Sequence, residues 1–311
     1  MAQYPFNLFN QSCSNCSSSL PQETTTVTRL SSFLTTDEVI ILSVLCALAS
    51  VIGTLGNSLV LLAVHKNENL RSIPDLFITS LAFSDITVCA LFLPMSINYF
   101  SHSVNAGGQE DNVIFGSARS FLGHTSMVAS ATNMFAVTVD RVVAIRFPFK
   151  YMAAMTKRHA LVGIVVVWII SLAFGILYAP MLVSNMYIAF YSGILLFTTI
   201  VMYIYIFIVA KRQENRIHQG TGSDGSVAEK KVAKTIFTVV GIYALCWLPI
   251  LLLPAIANPS TNPVQFGKGF HWVQTLLACN SAVNPYIYCM RSKKYRTAFG
   301  QILRLERYIN L

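Results

Sequence analysis

Seven long apolar runs, separated by short polar connectors, constrain this chain more than any other feature of its sequence. The runs cover residues 39–64, 74–99, 113–139, 160–180, 187–210, 232–257 and 269–290. Each is close to the roughly 20 residues that a helix needs to cross the hydrocarbon of a bilayer. Only 11% of the residues are charged, whereas about 25% is typical of soluble domains. The sequence therefore predicts one all-α domain, a seven-transmembrane helix bundle, whose helices we call span one to span seven.

The basic residues predict the orientation of this bundle. Of the 22 Lys and Arg residues, only Arg29, Arg119 and Lys268 fall on the side of the amino terminus. Because basic residues concentrate on the cytoplasmic side of membrane proteins, we expect a multi-pass plasma-membrane protein with an extracellular amino terminus. The net charge of +9 is then a topology signal that also attracts anionic lipid. We do not interpret it as a site for nucleic acid.

The polar stretches on either side of the seven apolar runs divide the chain into three predicted regions. Residues 1–37 form a polar extracellular tail, residues 38–290 the transmembrane domain, and residues 291–311 a cytoplasmic tail. No basic segment followed by a short apolar core opens the chain, so we expect no cleaved signal peptide. In the cytoplasmic tail, Tyr295, Phe299, Ile302 and Leu303 recur at helical spacing among basic residues. This pattern favours a short amphipathic eighth helix on the inner membrane surface.

The amino-terminal tail carries two candidate modification sites. Asn10-Gln11-Ser12 and Asn15-Cys16-Ser17 both match the acceptor for N-linked glycans, which an extracellular location can use. Cys13 and Cys16 lie in the same tail and can either pair or remain free.

A polar layer lies about halfway through the predicted membrane. Asp85 sits in an otherwise apolar run, where a charge costs roughly 2.5 to 3.5 kcal/mol on insertion scales. At 1.5 Å per residue, Asp85, Ser130 and Asn280 all lie roughly 15 Å from the inner ends of their spans, and Asn284 shares a helix face with Asn280. These oxygens and one carboxylate suit a small hard cation or a water cluster. Alternatively, Asp85 is neutral and hydrogen-bonds neighbouring helices.

A second group of charges lies at the cytoplasmic boundary. Asp140 and Arg141 end span three and Glu229 opens span six, so Arg141 can pair with either acid or with a partner from the cytoplasm. An exchangeable ion pair can act as a switch; alternatively, it is ordinary interfacial charge. Pro249, Pro254 and Pro285 lie inside spans six and seven, where each removes a backbone hydrogen bond and kinks the helix.

Taken in order along the chain, these residues resemble one receptor family. The motifs are Asn57 in GNSLV, Asp85 in LAFSD, Asp140-Arg141 in VDRV, Trp168, CWLP at 246–249 and NPYIY at 284–288. They look like the signature of rhodopsin-like, class A G-protein-coupled receptors, over residues 38–303. VGIYALCWLP and NSAVNPYIY are most similar to adenosine receptors. The short outer loop after span four, the absence of a proline in span five and of a cysteine at the top of span three resemble melanocortin receptors.

The resemblance implies a role for each motif. Asp85, Ser130, Asn280 and Asn284 would form a pocket for an allosteric sodium ion, and no other cofactor is implied. Trp247, Pro249 and Pro285 would form a hinge beneath the ligand. Arg141 would act with Asp140, Glu229, Tyr203 and Tyr288 as the switch for a heterotrimeric G protein, operated by outward movement of the inner end of span six.

The outer halves of the spans narrow the class of ligand. Position 123, where amine receptors carry an aspartate, is Gly123, and Pro254 stands where adenosine receptors carry a purine-binding asparagine. Ala278 occupies the level at which retinal proteins carry their lysine. We expect a neutral small molecule or lipid, with a peptide or constitutive activity without ligand as alternatives. The predicted pocket residues, drawn from spans two, three, five, six and seven, are Asn98, Tyr99, His124, Tyr187, Tyr191, Leu253, His271, Gln274 and Leu277.

Two other classes of function are disfavoured. A channel or transporter needs a continuous polar path, but the charged residues of the spans are confined to Asp85 and the boundaries. An enzyme needs clustered acid and base groups or metal ligands, whereas the six histidines are scattered over different loops and spans. We therefore expect a receptor and not an enzyme.

Overall fold

The computed structural model of the protein describes residues 34–105, 113–178, 185–221, 225–257 and 261–304. Within this part of the chain, seven long helices form the spans: Thr36–Lys66, Ile73–Asn105, Val113–Arg146, Lys157–Tyr178, Asn185–Thr221, Gly225–Ile256 and Pro263–Arg291. Span one packs on spans two and seven, spans five and six pack on each other, and span three contacts spans two, four and five. The predicted all-α seven-helix bundle is confirmed, and span three lies at its centre.

Short polar sequences determine where the first two spans begin. Thr35 caps span one: its hydroxyl accepts from the backbone N–H of Glu38 at 3.4 Å, while the Glu38 carboxylate accepts from the Thr35 N–H at 2.8 Å. Ser72 and Asp75 form the same reciprocal pair at span two, next to Pro74. These capping boxes satisfy backbone donors that the first turn of a helix leaves without partners.

Span two contains an irregular turn just beyond Asp85. An α-helix from Ile73 to Thr87 passes into a π-helical turn, Val88–Phe92, and resumes as an α-helix from Leu93 to Asn105. In this turn the Leu93 N–H donates to the Val88 carbonyl, five residues earlier. Pro94 follows at once and has no N–H to donate, so a local change of hydrogen-bond pattern is expected here. The turn adds one residue and rotates the outer half of the span.

The outer surface of the bundle suits a lipid environment. Four described helices are long and apolar enough to cross a membrane, namely Thr36–Lys66, Ile73–His102, Ile114–Arg146 and Lys157–Tyr178. Spans five and six contain shorter apolar stretches, Gly193–Val209 and Gly241–Ile256. Large apolar side chains, such as Leu55, Val162 and Phe197, are exposed on the outside. The protein is therefore a multi-pass membrane protein.

The side of the bundle predicted to face the cytoplasm contains two short helices and two extended spans. Pro148–Ala154 follows span three, and Lys293–Ile302 forms the predicted eighth helix, which buries Tyr295 and Phe299 while Leu303 is exposed. The sequence predicts residues 211–231 as the longest inner connector, with a flexible Gly/Ser stretch, QGTGSDGS, inside it. In the structure, span five continues to Thr221 and span six begins at Gly225. The Lys, Arg, Gln and Glu residues of this stretch are good helix formers, so the helices extend beyond the membrane.

Candidate functional site

Asp85 forms the centre of the bundle's polar layer. Its side chain is completely buried. One carboxylate oxygen accepts from the Ser130 hydroxyl at 2.8 Å and the other from the Asn284 amide at 2.6 Å. Spans two, three and seven are thus joined through one carboxylate, and three of the four residues predicted for the sodium pocket are in direct contact.

Two asparagines complete the polar layer. Asn280 is buried one turn above Asn284, but no hydrogen bond joins it to Asp85 within the part of the chain that the structure describes. Asn57 donates to the carbonyls of Gly53 at 2.9 Å and of Ser281 at 3.0 Å, and thereby fastens span one to span seven. Its side-chain oxygen is buried without a hydrogen-bond partner among the described residues. The layer therefore offers carboxylate, hydroxyl and amide oxygens, which fit a hard cation.

Trp168 supports this layer from span four. Its indole N–H donates to the Ser80 hydroxyl at 3.1 Å, and its ring meets Phe83 edge to face at 5.6 Å. Ser80 lies five residues before Asp85 on span two. The contact holds spans two and four together beside the carboxylate.

The inner end of span three carries the exchangeable charges. The Arg141 guanidinium lies 3.9 Å from the Asp140 carboxylate, with Asp140 buried to 1% exposure and Arg141 49% exposed. The other Asp140 oxygen accepts from the Tyr151 hydroxyl at 2.6 Å. Burial and this bond to the negatively charged Asp140 raise the pKa of Tyr151. Asp140 is held by two partners, whereas Arg141 remains half exposed at the end of span three.

The other predicted switch residues lie deeper. Tyr203 is buried, and Tyr288 packs partly buried against the same core cluster, which also contains Trp247. Glu229 lies on span six, but its side chain falls outside the described residues. The predicted contact between Glu229 and Arg141 therefore stays a prediction.

The predicted hinge residues lie on spans six and seven. Trp247 is buried and its ring lies 5.8 Å from that of Tyr243. The Trp247 N–H and the Tyr243 hydroxyl are both buried without a hydrogen-bond partner in the described part of the chain. Pro249 and Pro285 lie inside their helices as predicted. The Trp247 N–H and the Tyr243 hydroxyl each cost free energy as long as they stay buried without a partner.

The predicted ligand residues divide into groups. The rings of Tyr99 on span two and His271 on span seven lie 5.5 Å apart and are tilted by 48° to each other. Tyr191 shares a hydrogen bond of 2.8 Å with Thr132 and packs, with Leu277, on the cluster of Trp247. His124 instead stacks on Tyr178 of span four at 3.6 Å. Of the others, Gln274 and Leu253 are buried and Asn98 is exposed, while the Tyr187 side chain lies outside the described residues.

Gly123 has a packing role that the sequence does not reveal. A Cβ atom at this position would lie 2.5 Å from the ring of Phe92 on span two, too close for any real side chain. Phe92 belongs to the π-helical turn. The level at which amine receptors carry an aspartate is thus filled by a neighbouring aromatic ring.

Arg119 and Tyr295 are the residues whose surroundings sequence reasoning missed. Arg119 counts only as an outer basic residue in the sequence, yet it is 8% exposed and lies over Tyr99. The hydroxyl of Tyr295 donates to Asp75 of span two at 3.1 Å. The contact of Arg119 has a signal in the sequence, because a basic residue stands inside the third apolar run. The hydrogen bond of Tyr295 to Asp75 has none.

Known proteins resemble the chain over most of its length. The profile of the family described as 7 transmembrane receptor (rhodopsin family) matches residues 56–187 and 178–288. Melanocortin receptor 3 of Rattus norvegicus is 33% identical over 81% of this chain and 82% of its own length. The histamine H2 receptor of Canis lupus familiaris is 27% identical over 85% and 80%, and the human alpha-1A adrenergic receptor is 26% identical over 86% and 68%.

These matches confirm the resemblance to melanocortin receptors, whereas the resemblance to adenosine receptors rests on the motifs alone. They also confirm that the chain is a receptor and not an enzyme, because the matched family consists of receptors. The fold, the ordered motifs and both comparisons agree: the chain belongs to the rhodopsin family of seven-transmembrane receptors.

Proposed function

We propose that this receptor lies in the plasma membrane with its amino terminus outside and transmits the binding of a neutral, partly apolar small molecule or lipid to a heterotrimeric G protein. The observation that carries the proposal is the layout of span three. Its middle contacts the buried Asp85 through Ser130, and its inner end presents Arg141 to the cytoplasm. One rigid helix thus connects the polar layer with the surface that a G protein would contact.

The mechanism is a shift between two populations of the bundle. A ligand favours one arrangement only if it binds that arrangement more tightly. In the active arrangement, the inner end of span six moves outward about the kinks near Trp247 and Pro249, and Arg141 becomes available to the G protein. The Trp247 N–H and the Tyr243 hydroxyl, which have no hydrogen-bond partner among the described residues, support this movement, because no described hydrogen bond of theirs has to break when the helix moves.

A sodium ion would favour the inactive arrangement. Asp85, with the Ser130 hydroxyl and the Asn284 and Asn280 amides, would hold it, and the ion would supply one positive charge to the buried carboxylate. The residues fit such an ion because they offer hard oxygen ligands and a single negative charge. The buried side-chain oxygen of Asn57, which has no hydrogen-bond partner in the described part of the chain, indicates that the same layer can take further polar contacts.

The test is nucleotide exchange on purified G proteins. The full chain is reconstituted in lipid nanodiscs with representatives of each G-protein class and screened against a library of lipids, small molecules and peptides. We expect basal or ligand-stimulated GTP exchange on at least one G protein, reduced in Arg141→Ala. Exchange before any ligand is added would identify constitutive activity. Solute flux through proteoliposomes, without exchange on any G protein, would contradict the proposal.

A further inference from the structure

The short helix between spans three and four carries two highly exposed apolar side chains. Phe149 is 87% exposed and Met152 83% exposed, the highest values among the large apolar side chains that the structure describes. The two positions are three apart and therefore lie on one side of their helix, Pro148–Ala154. We call this pair the inner apolar face. Apolar surface of this kind is unfavourable in water and marks a contact with lipid or with a partner.

The opposite side of this helix is attached to the bundle. The Tyr151 hydroxyl donates to the Asp140 carboxylate of span three at 2.6 Å. At about 100° per residue, Phe149 lies roughly 160° around the helix axis from Tyr151. The inner apolar face therefore points away from the bundle, and the helix needs no rearrangement to present it.

The boundary of the bilayer lies close to this helix. Span four, Lys157–Tyr178, has 22 residues and is therefore about 33 Å long, which matches the hydrocarbon thickness of roughly 30 Å. Its first residue then lies near the head groups, and its exposed apolar surface begins one turn later, at Leu161 and Val162. The short helix ends at Ala154, three residues before Lys157, so the inner apolar face is within reach of the same interface.

The charges beside the inner apolar face favour an anionic lipid surface. The Arg146 guanidinium carbon and the Lys150 Nζ lie 5.1 Å and 5.9 Å from the centre of the Phe147 ring, and both basic side chains are exposed. The sequence contains no Asp or Glu between Asp140 and Glu214. Basic residues beside exposed apolar side chains allow a short helix to bind both the head groups and the acyl chains of an anionic leaflet.

We infer that the inner apolar face inserts into the cytoplasmic leaflet of the membrane, with Arg146 and Lys150 bound to the phosphate and carboxylate groups of anionic lipids. Insertion would hold the short helix in place and thereby keep Tyr151 on Asp140, which pairs with Arg141. The inference uses the orientation given in the proposed function, because the anionic leaflet is the cytoplasmic one. It depends neither on the ligand nor on coupling to a G protein.

Fluorescence quenching tests where position 149 lies. Phe149→Trp is reconstituted in nanodiscs of phosphatidylcholine, alone or with an equal part of phosphatidylserine, whose acyl chains carry bromine as the quencher. The signal of the wild type, which contains Trp168, Trp247 and Trp272, is subtracted. We expect bromine to quench the added indole, and to do so more strongly when phosphatidylserine is present.

Glu68→Trp is the matched control for this probe. It places the same side chain at an exposed position of the first inner connector, and aqueous acrylamide should quench it more than bromine does. Both leaflets of these nanodiscs contain the anionic lipid, so insertion is detected whichever way the chain is oriented.

Hydrogen exchange tests the native side chains. In the wild type, the backbone amides of residues 149–155 should exchange at least about fivefold more slowly with phosphatidylserine present, the factor that one basic residue near an anionic surface contributes. Phe149→Ser combined with Met152→Ser should abolish this difference, because the apolar anchor is lost, and Lys150→Gln should reduce it. Met155→Ser removes an apolar side chain of the same connector outside the inner apolar face and should behave as the wild type.

Phe149→Ser alone serves if the double variant does not fold. Three outcomes would overturn the inference: quenching at position 149 by acrylamide but not by bromine, equal bromine quenching at positions 68 and 149, or exchange in the wild type that does not respond to phosphatidylserine. Protection that appears only when a G protein is added, equally in both lipids, would assign the inner apolar face to that partner and likewise exclude insertion.

Discussion

Asp85 shows how one residue can join several parts of a membrane protein. A carboxylate in an apolar helix is expensive, and here its two oxygens accept from spans three and seven. The residue therefore links three helices that would otherwise meet only through apolar contacts. Any group that changes its charge or its partners will alter the relative positions of all three.

Asp85→Asn should abolish the effect of sodium on the receptor. Asparagine keeps the shape of the side chain but removes the charge that attracts the ion. In the wild type we expect sodium to lower basal GTP exchange and the affinity for activating ligands. The measurement is exchange over a sodium titration at constant ionic strength, with N-methylglucamine replacing sodium.

Asp37→Asn is the matched control for Asp85→Asn, because it removes an exposed carboxylate from the start of span one. Its sodium response should equal that of the wild type. If sodium acts on the Asp85→Asn variant as it does on the unchanged chain, the ion lies elsewhere.

Glu229→Ala should raise basal signalling. Without the acid on span six, Arg141 retains Asp140 at 3.9 Å but loses the contact that would hold the inner ends of spans three and six together. Ligand-free GTP exchange measures the effect, which we expect to be several-fold. Glu68→Ala removes an acid of the first inner connector, where Glu68 contacts Arg71, and should leave the baseline unchanged. A baseline equal to that of the wild type in Glu229→Ala would argue against the lock.

Among the helices, the eighth makes contacts with the bundle that its amphipathic pattern does not predict. Tyr295 is 2% exposed and its hydroxyl donates to Asp75 at 3.1 Å. Its ring lies 5.8 Å from the tilted ring of Tyr288 and meets the ring of Phe299 edge to face at 6.0 Å. The other oxygen of Asp75 belongs to the capping box of span two. One carboxylate thus joins the start of span two to the eighth helix, beside the predicted switch residue Tyr288.

Tyr295→Phe should destabilise the protein without disturbing its packing. The ring contacts stay, while a hydrogen bond to a carboxylate, typically worth about 1.5 to 3 kcal/mol, is lost. Thermal unfolding in detergent measures the change. Tyr286→Phe, at an exposed position of span seven, is the matched control and should unfold at the wild-type midpoint. Equal midpoints for all three proteins would show that the Asp75 contact contributes nothing.

The Tyr295 hydroxyl should make the stability of the protein depend on pH in the alkaline range. Burial, together with the charge of Asp75, raises the pKa of Tyr295 above its usual value. Its contribution to stability is therefore complete below about pH 10, the ordinary tyrosine value, and is lost as the pH rises through the raised pKa. Unfolding midpoints measured across alkaline pH should fall more steeply for the wild type than for Tyr295→Phe. Parallel curves would contradict this assignment.

For the molecule as a whole, the orientation of the bundle in the membrane decides which modifications each end of the chain can receive and which partners it can bind. The proposed orientation places the amino-terminal tail outside, where Asn10 and Asn15 can receive glycans. These two positions lie outside the described residues, so their use stays a prediction.

Glycosidase treatment tests this orientation. Digestion of the protein from intact mammalian cells with an N-glycosidase should increase its mobility on gels, because extracellular acceptors carry glycans. Replacing both Asn10 and Asn15 by Gln should abolish the shift. Asn7→Gln changes an asparagine that is followed by Leu8 and Phe9 and should leave the shift intact. An unshifted wild type would contradict glycosylation of the tail.

Local patterns in the sequence predicted the seven spans, the eighth helix, the family and the polar layer, because lipid demands long apolar helices and makes every intramembrane polar residue conspicuous. Depth along a helix, at 1.5 Å per residue, was enough to bring Asp85, Ser130 and Asn280 to one level, with Asn284 on the same helix face as Asn280. It could not show that Asn280 makes no bond to Asp85 in the described structure, because that depends on helix rotation.

Tertiary structure alone decided the contacts that depend on how helices turn and pack against one another. The π-helical turn at Val88–Phe92 sets the rotation of outer span two, and so places Phe92 against Gly123 and Tyr99 beneath Arg119. The bond from Tyr295 to Asp75 joins residues 220 positions apart. The sequence determines which segments form membrane-spanning helices, because apolar character and backbone hydrogen bonding along one helix are local. Which side chains come into contact depends on packing between helices that are remote in the chain.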